Sequence, residues 1–511
     1  MKSLFKTVAV VTIFSVCEKF LGFMYRIFLS RTIGSEGMGL YQVALSVFAL
    51  LFTLTCSGTP ITVSRLMTKY RAEGAHKRIN GVITAGLSFT LLVAVPIVLC
   101  CFLFRSKLNV FFADDRCVNI FLIMLPGLIF TSVYSVLRGV FWGNKDFLPY
   151  SIIELLEEIC MIITGIILIS GATSVFQGAM DAGIAVLVSY CFSFSLAVIV
   201  FFFRKNKIQN PYSEFKPLLS SALPITAMRT ANSLIVSVVS VVLPMRLMAC
   251  GMTSSEAMSA YGSAVGQAIP IIYIPATLIG SFILVITPEL SEDFYRGKNM
   301  ELKNDIEKSL KFTVLVSAVF VPVFIVCGEE IGVFLYGSLE SGTFLKHSGY
   351  LIILIGISTV TTSMLNSIGL ETKTLIYFII STVFMLIAVI VLPKFMGIYS
   401  LLVGYFFVYG ITSVLNLILI HKTCKEKPRY MKFLFSAMIL TLPSIILGVM
   451  LEKMLLPLLG TTVTLFAVAV ILAAFTLLLY IGFGLVSIKY VKTKIPRFKK
   501  TKLKKVSAVG K

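Results

Sequence analysis

The sequence predicts an all-helical membrane protein with about fourteen transmembrane helices, and three observations lead to this fold class. Of the 511 residues, 57% are hydrophobic and only 14% are charged, whereas about a quarter of the residues in a soluble domain are charged. The mean hydropathy of +0.95 leaves too little polar surface to cover a water-soluble fold. The 41 Phe residues, together with many aliphatic residues, exclude a disordered chain.

Apolar runs long enough to cross ~30 Å of hydrocarbon recur along the chain, separated by charged or Gly/Pro-containing segments. The predicted spans are 7–30, 38–60, 80–104, 118–137, 150–171, 182–203, 218–245, 260–287, 312–328, 348–366, 374–393, 397–420, 431–451 and 460–488. The first run follows Lys2 and Lys6 and so looks like a signal peptide. However, Glu18, Lys19 and Arg26 interrupt it and no small-residue cleavage site follows, so we interpret it as the first transmembrane helix.

Membrane topology explains the net charge of +21 more simply than nucleic-acid binding does. Most of the 45 basic residues lie at the two termini or in connections that follow even-numbered spans, as Arg65 and Lys69 do. The positive-inside rule therefore predicts a multi-pass protein of the cytoplasmic membrane with both termini in the cytoplasm. The basic tail from Lys489 to Lys505 is predicted to lie near anionic membrane lipids. No nucleic-acid partner is expected.

An internal repeat divides the predicted helices into two lobes of six. Lys19 and Arg229 each lie thirteen residues after a Phe-Lys pair, and Gln42 and Gln267 occupy matching places further along the two copies. Because six is even, both copies enter the membrane in the same direction, which predicts a pseudo-twofold axis along the membrane normal and a central cavity. The predicted divisions are 1–210, 211–425, and a helix hairpin with its tail at 426–511.

Cations inside predicted spans need an explanation, because an unpaired charge at mid-bilayer costs several kcal/mol. Lys19 and Arg229 lie at equal depth, Arg26 follows Lys19 by seven residues on the same helical face, and Glu18 could neutralise one of them. One interpretation is a buried ion pair that only ties helices together. The other is a basic cavity for an anionic group. A carboxylate face, formed by Glu154, Glu157 and Glu158, either pairs with nearby cations or carries a coupling H+ or Na+.

The candidate residues fall into three groups. The predicted substrate-binding residues of the central cavity are Lys19, Arg26, Arg229, Glu18, Gln42, Gln267 and Asn232; the predicted gate or hinge residues are Pro60, Arg65, Pro270 and Pro275; the candidate coupling residues are Glu154, Glu157 and Glu158. Ten cysteines without Cys-x-x-Cys spacing and three scattered histidines predict no metal site. We expect no catalytic constellation and no cofactor, with transport coupled to the membrane potential, H+ or Na+.

The stretch Glu18-Lys19-Phe20-Leu21-Gly22-Phe23-Met24-Tyr25-Arg26, followed by Arg31-Thr32-Ile33-Gly34 and Gly37-Met38-Gly39-Leu40-Tyr41-Gln42, resembles one group of transporters. These are the polysaccharide and lipid-linked oligosaccharide exporters of the multidrug/oligosaccharidyl-lipid/polysaccharide superfamily, most of all the stage V sporulation protein B group, which is related to the lipid II flippases. The resemblance implies alternating-access movement of undecaprenyl-diphosphate-linked sugars to the outer leaflet through a cationic cavity. Lys19 matches a position where related flippases place an arginine, whereas their second basic position falls about one residue before Arg26.

The sequence is also compatible with two other functions. A cation-coupled multidrug exporter of the same superfamily would place acidic residues at its centre, and a membrane-embedded glycan-processing enzyme would need a sizeable outer catalytic loop. The deep charges here are mainly basic and the predicted outer loops are short. The favoured hypothesis is therefore a flippase for an anionic lipid-linked saccharide that acts as a monomer among membrane lipids.

Overall fold

A computed structural model describes residues 2–204 and 209–485, and within these ranges all regular secondary structure is helical. The prediction of an all-helical polytopic membrane protein is confirmed. The predicted lipid-anchoring tail from Lys489 to Lys505 lies outside the described residues.

The helices follow one another with short connections. The N-terminal half contains α1 (Lys2–Cys56), α2 (Thr59–Ala72), α3 (His76–Leu103), α4 (Arg105–Leu108), α5 (Asp115–Met124), α6 (Gly127–Gly143), α7 (Phe147–Ile169) and α8 (Val175–Phe203). The C-terminal half contains α9 (Phe215–Ala249), α10 (Ser254–Tyr261), a π-helical segment (Gly262–Ala268), α11 (Ile269–Tyr295), α12 (Asn299–Tyr336), α13 (Leu339–His347), α14 (Leu351–Ser367), α15 (Glu371–Val391), α16 (Pro393–Met396) and α17 (Ser400–Thr423). Helix α18 (Met431–Gly482) follows the second half.

Nine helices in the described part of the chain are long and apolar enough to cross a membrane, or up to eleven if each of two bent pairs counts as one span. Helices α5 and α6 meet at 45°, and α13 and α14 meet at 60°. The predicted total of fourteen spans stays a prediction.

Two of the long helices contain a break at a glycine. Gly34 in α1 has φ 67° and ψ −175°, and Gly460 in α18 has φ 71° and ψ 169°. Side chains other than hydrogen are disfavoured at such positive φ angles, so glycine permits the break. Gly34 lies between the predicted spans 7–30 and 38–60, and Tyr25 and Tyr41 on its two sides line the same cavity. The chain therefore folds back on itself at Gly34.

Helix α12 is longer than its predicted span, because its first turns carry charged residues. The apolar pattern predicts a span over 312–328, but the helix runs from Asn299 to Tyr336. The additional first turns carry Glu301, Lys303 and Lys308. Hydropathy thus marks the membrane-embedded part of the helix, whereas the helix itself continues into the more polar region.

The main hydrophobic core draws on both halves of the chain. Leu29 and Phe48 of α1 belong to the same buried cluster as Tyr261, Leu310 and Leu401 of the C-terminal half. Helix α18 packs mainly on α12 through a separate small cluster that includes Val326, Leu465, Val468 and Leu472. The division at 210 and 425 remains a prediction.

Glycines allow the two halves to touch backbone to backbone near the break at Gly34, a region that we call the Gly34 end. A Cβ atom on Gly262 would lie 2.6 Å from the backbone nitrogen of Gly39, and closer still to the carbonyl oxygen of Ser35. A Cβ atom on Gly39 would lie 2.8 Å from the carbonyl carbon of Met258. Real side chains do not fit at these separations. The Gly34 end is the predicted outer end.

The opposite end of the interface, which we call the Gly58 end, is closed in a similar way. The Gly58 N–H donates to the Thr226 hydroxyl over 3.1 Å, and a Cβ atom on Gly58 would overlap the carbonyl oxygen of Ala222. Arg65 donates to the Ser221 hydroxyl beside this contact. The two halves therefore contact each other at both ends of the interface.

Candidate functional site

A cavity of about 450 Å³ lies between α1, α7, α8 and the start of α11. This volume is within the range of small-molecule binding sites. Its lining combines charged, aromatic and apolar side chains: Lys19, Gly22, Phe23, Tyr25, Arg26, Leu29, Met38, Tyr41, Leu45, Glu157, Glu158, Met161, Val186, Ser189, Tyr190 and Pro270. Pro270 belongs to the C-terminal half, so the cavity reaches the interface between the halves.

Lys19 and Arg26 line this cavity together, as their seven-residue spacing predicts. Lys19 is exposed although it lies within a helix long enough to span the membrane. Arg26 is half-buried, and its guanidinium donates to the carbonyl oxygen of Gly266 over 3.1 Å. Two cations on one helical face thus border an accessible space.

Glu157 and Glu158 of α7 line the same cavity, which the sequence did not predict. Gly22 makes room for one of them, because a Cβ atom on Gly22 would lie 2.8 Å from a carboxylate oxygen of Glu158. Glu157 Oε2 is buried without a hydrogen-bond partner among the described residues. The cavity is therefore mixed in charge, with two cations facing two carboxylates.

Glu154, the third predicted coupling residue, pairs with a cation instead. Its carboxylate lies 3.4 Å from the guanidinium of Arg138 on α6, and the two side chains are 20% and 24% exposed. For Glu154 the structure therefore agrees with the first interpretation of the carboxylate face, in which it pairs with a nearby cation. Glu18 is half-buried on α1 and does not line the cavity. Arg138 was overlooked, although an arginine inside an apolar helix was the signal that could have found it.

Arg229 does not line the cavity that Lys19 borders. It is exposed at the Gly58 end, where its guanidinium lies 3.5 Å from the carbonyl oxygen of Ser57. Asn232, one turn further along α9, is also exposed. Gln42 is half-buried, and its Oε1 has no hydrogen-bond partner among the described residues. Lys19 and Arg26 therefore line one cavity, and Arg229 is not part of its lining.

Gln267 lies in the π-helical segment and is fully buried. Its amide nitrogen donates to the Ser30 hydroxyl over 2.6 Å and to the Ser35 hydroxyl over 3.3 Å. Met38 packs against Gly266 next to it. This layer, which we call the septum, comprises Met38, the π-helical segment and the two serines.

A second, larger space of about 1040 Å³ lies on the other side of the septum. Ser30, Gly34 and Ser35 line it together with Tyr336 and Glu340 of the C-terminal half. The septum therefore separates the charged cavity from a depression at the Gly34 end.

A polar network joins the halves beside this depression. Asp114 accepts hydrogen bonds from Arg116 in its own half and from Ser254 at the start of α10, and Arg116 also pairs with Glu36 over 2.8 Å. Burial raises the pKa of the Asp114 carboxyl, but its hydrogen bonds with Arg116 and Ser254 outweigh that effect and hold the pKa below its ordinary value.

The predicted hinge prolines lie at irregular points of the helices. Pro60 lies in the first turn of α2, directly after the break at Ser57 and Gly58, and packs against Gly139. Pro270 lies in the first turn of α11 after the π-helical segment, and Pro275 lies inside α11. These positions suit bending, and the hinge role itself stays a prediction.

Metal chemistry finds no support in the part of the chain that the structure describes. No group of three His, Cys, Asp or Glu side chains there could hold a metal ion. All ten cysteines are free thiols. The cavity can instead bind or exclude charged groups through Lys19, Arg26, Glu157 and Glu158.

Comparison with known proteins places these features in a family. The chain is 26% identical to stage V sporulation protein B of Bacillus subtilis (strain 168) over 344 residues, which cover 64% of this chain and 66%, just under two thirds, of that relative. It is 22% identical to lipid II flippase MurJ of the same organism, over 76% of this chain and 77% of that protein.

The fold agrees with these matches. A solved structure of lipid II flippase MurJ in an inward closed conformation superposes with a TM-score of 0.71 at 15% identity, covering 93% of this chain and 99% of that one. The family model described as polysaccharide biosynthesis protein matches residues 4–275, more than half of the sequence. The chain belongs to the polysaccharide biosynthesis protein family.

Proposed function

We propose that this protein is an alternating-access flippase that moves an anionic lipid-linked saccharide from the inner to the outer leaflet of the cytoplasmic membrane. The observation that carries the proposal is that Lys19 and Arg26 together line a cavity of the N-terminal half that reaches the C-terminal half at Pro270. The substrate class is an undecaprenyl-diphosphate-linked precursor of cell-wall or other polysaccharide. The relatives named stage V sporulation protein B and lipid II flippase MurJ support this choice.

The chemistry of the cavity suits a diphosphate. A guanidinium and an ammonium bind phosphate oxygens strongly when water is largely excluded. Arg26 is held in place by the Gly266 carbonyl, so its remaining donors stay directed rather than free to rotate. Movement to the outer leaflet breaks no covalent bond, and an inside-negative potential would favour a doubly charged anion leaving by roughly 4–5 kcal/mol per 100 mV.

The two carboxylates of the cavity supply a candidate coupling element. While Glu157 and Glu158 are ionised, they offset the charges of Lys19 and Arg26. A proton or Na+ bound to either carboxylate leaves the cavity net positive and favours the anion. Glu157 and Glu158 therefore couple transport to H+ or Na+ in this proposal. Glu154 instead forms the ion pair with Arg138.

The membrane arrangement completes the proposal. Both termini lie in the cytoplasm, the Gly58 end faces the cytoplasm and the Gly34 end faces outward, as the distribution of basic residues favours. The protein acts as a monomer and binds membrane lipids rather than nucleic acid.

A second function has one observation in its favour. The carboxylates of Glu157 and Glu158 in the cavity could attract a cationic drug, as in a cation-coupled multidrug exporter. Arg26 and Lys19 would oppose such a ligand, because like charges in a shielded site repel.

The deciding experiment uses the purified protein in proteoliposomes with two cargoes, a fluorescent undecaprenyl-diphosphate disaccharide and tetraphenylphosphonium. We expect protein-dependent movement of the lipid, whereas the cation should cross no faster than it does through protein-free liposomes. Lys19→Ala should abolish lipid movement, whereas the matched substitution of an exposed lysine outside the cavity, Lys373→Ala, should leave it unchanged. Protein-dependent movement of the cation but not of the lipid would favour the exporter.

A further inference from the structure

A cluster of three tyrosines in the C-terminal half lies next to the charged cavity. The Tyr273 hydroxyl on α11 is 2.6 Å from the Tyr409 hydroxyl on α17. The rings of Tyr405 and Tyr409, one turn apart on α17, have centroids 5.9 Å apart. We call Tyr273, Tyr405 and Tyr409 the tyrosine cluster.

One stretch of chain, from the π-helical segment into α11, connects the cations to the tyrosine cluster. Gly266 accepts the hydrogen bond from Arg26, Pro270 lines the cavity, and Tyr273 follows Pro270 by three residues. Pro270 and Tyr273, three residues apart in α11, lie on one helical face, and Gly266 lies in the π-helical segment just before them. Gly266 and Tyr273 are about 10 Å apart along this stretch at 1.5 Å per residue. One extended ligand can therefore touch the cations and the tyrosines together.

The cluster is accessible even though it lies deep in the bundle. Tyr273 is 36% exposed in the middle of a helix long enough to span the membrane. Tyr405 and Tyr409 are partly exposed. The cluster therefore lies at an accessible surface rather than in a sealed core.

The hydroxyls retain unused hydrogen-bonding capacity. Two hydroxyls that share one hydrogen bond keep one O–H donor and several lone pairs for another molecule. The Tyr405 hydroxyl makes no hydrogen bond to a described residue. It is not one of the fully buried polar atoms without a partner, so it is open to a ligand. No ion pair involves α11 or α17 near the cluster within the described ranges. The surface is aromatic, neutral and hydrogen-bonding.

We propose that the tyrosine cluster binds the saccharide part of the lipid-linked substrate while Lys19 and Arg26 bind its diphosphate. A sugar ring offers an apolar C–H face that packs on an aromatic ring and hydroxyls that pair with tyrosine oxygens. A phosphate would prefer the cations, and an acyl chain would leave the tyrosine hydroxyls unsatisfied. This inference rests on the proposed flippase function and adds to it the residues that recognise the sugar.

The test compares two lipids in proteoliposomes, undecaprenyl diphosphate and undecaprenyl-diphosphate disaccharide. Wild-type protein should show a lower KM for the disaccharide lipid than for the sugar-free lipid. Tyr273→Ala should reduce that preference about tenfold, the change produced by losing one aromatic contact of about 1.4 kcal/mol. Tyr409→Phe, which removes only a hydroxyl, should reduce it less, and Tyr295→Ala, at the exposed far end of α11, should keep it.

The possible results separate the saccharide site from the flippase function. A wild-type preference that stays intact in folded Tyr273→Ala and Tyr409→Phe proteins overturns the saccharide site but leaves the flippase in place. Equal KM values for the two lipids in the wild type do the same. Movement of neither lipid by the folded wild type overturns the flippase and the saccharide site together. Competition by tetraphenylphosphonium that is lost in Tyr273→Ala would instead assign the cluster to cationic ligands.

Discussion

Replacing Gly262 by alanine should open the interface at the Gly34 end. The added Cβ atom would lie 2.6 Å from the Gly39 nitrogen and closer to the Ser35 carbonyl oxygen. Ordinary contacts between such atoms are about 3.5 Å, so the two helices must separate by about 1 Å or more. Backbone atoms cannot rotate away as a side chain can. The separation would also lengthen the hydrogen bonds that Gln267 makes to Ser30 and Ser35.

The size of the effect follows from the cost of overpacking. Forcing an extra methyl group into a close-packed contact costs about 1–3 kcal/mol. The cost falls only on the state in which the Gly34 end is closed, because the two backbones no longer touch once the halves have separated there. The ratio of open to closed molecules should therefore rise roughly 5- to 150-fold.

Distances between spin labels would report this shift in lipid nanodiscs. Labels at Val110→Cys and Leu339→Cys, two exposed positions of opposite halves at the Gly34 end, would measure the separation. The exposed Cys17, Cys100 and Cys250 and the partly exposed Cys101, Cys160 and Cys191 would be replaced by serine so that the introduced sites react preferentially.

The matched control is Gly280→Ala on α11, where an added Cβ atom would meet no atom within 4 Å. We expect a longer distance component in Gly262→Ala and the wild-type distribution in Gly280→Ala. Gly39→Ala, on the other side of the contact, should act in the same direction. A wild-type distribution in a folded Gly262→Ala protein would refute the reasoning, since the backbone contact would then not hold the halves together.

Three other substitutions test the ion pairs and the cavity. Arg138→Met should lower thermal stability, because it leaves Glu154 largely buried without its partner. Breaking such a buried pair costs about 3–5 kcal/mol. Adding Glu154→Gln should restore part of the lost stability in a thermal unfolding assay. Glu158→Gln should flatten the dependence of transport on pH between about 5 and 8 if that carboxylate carries the proton, and an unchanged profile would remove it from the coupling. Asp114→Asn should lower the unfolding temperature equally at pH 6 and pH 8, because the folded pKa of Asp114, held down by Arg116, lies below its ordinary value of 3.8. The ionised carboxylate therefore stabilises the fold at any pH above that value, and its contribution is lost only as the pH falls through the folded pKa.

Helical periodicity was enough to predict part of the site. Lys19 and Arg26, seven residues apart on one helix, had to share a face, and both line the cavity. The equal depth of Lys19 and Arg229 stays a prediction, and the direction in which a side chain points around its helix depends on neighbouring helices. Arg229 accordingly contacts the Ser57 carbonyl and does not line the cavity.

Contacts between distant helices could not be predicted from one sequence. Glu157 and Glu158 join the cavity because α7 packs on α1 at Gly22. The closed contact at the Gly34 end did leave a signal, since Gly262 and Gly266 are four residues apart, the spacing of small residues at close helix crossings in membranes. Helix bounds were predicted less well where charged turns extend a span, as in α12.

The most direct test of the central claim is the rate of transbilayer movement of an undecaprenyl-diphosphate disaccharide in proteoliposomes, measured at zero and at an imposed inside-negative potential. A doubly charged head group bound by Lys19 and Arg26 should move outward faster when the potential is imposed. That movement should be lost in folded Lys19→Ala protein. Movement that is insensitive to potential and equally fast in Lys19→Ala would contradict the claim that this cavity carries the anionic head group.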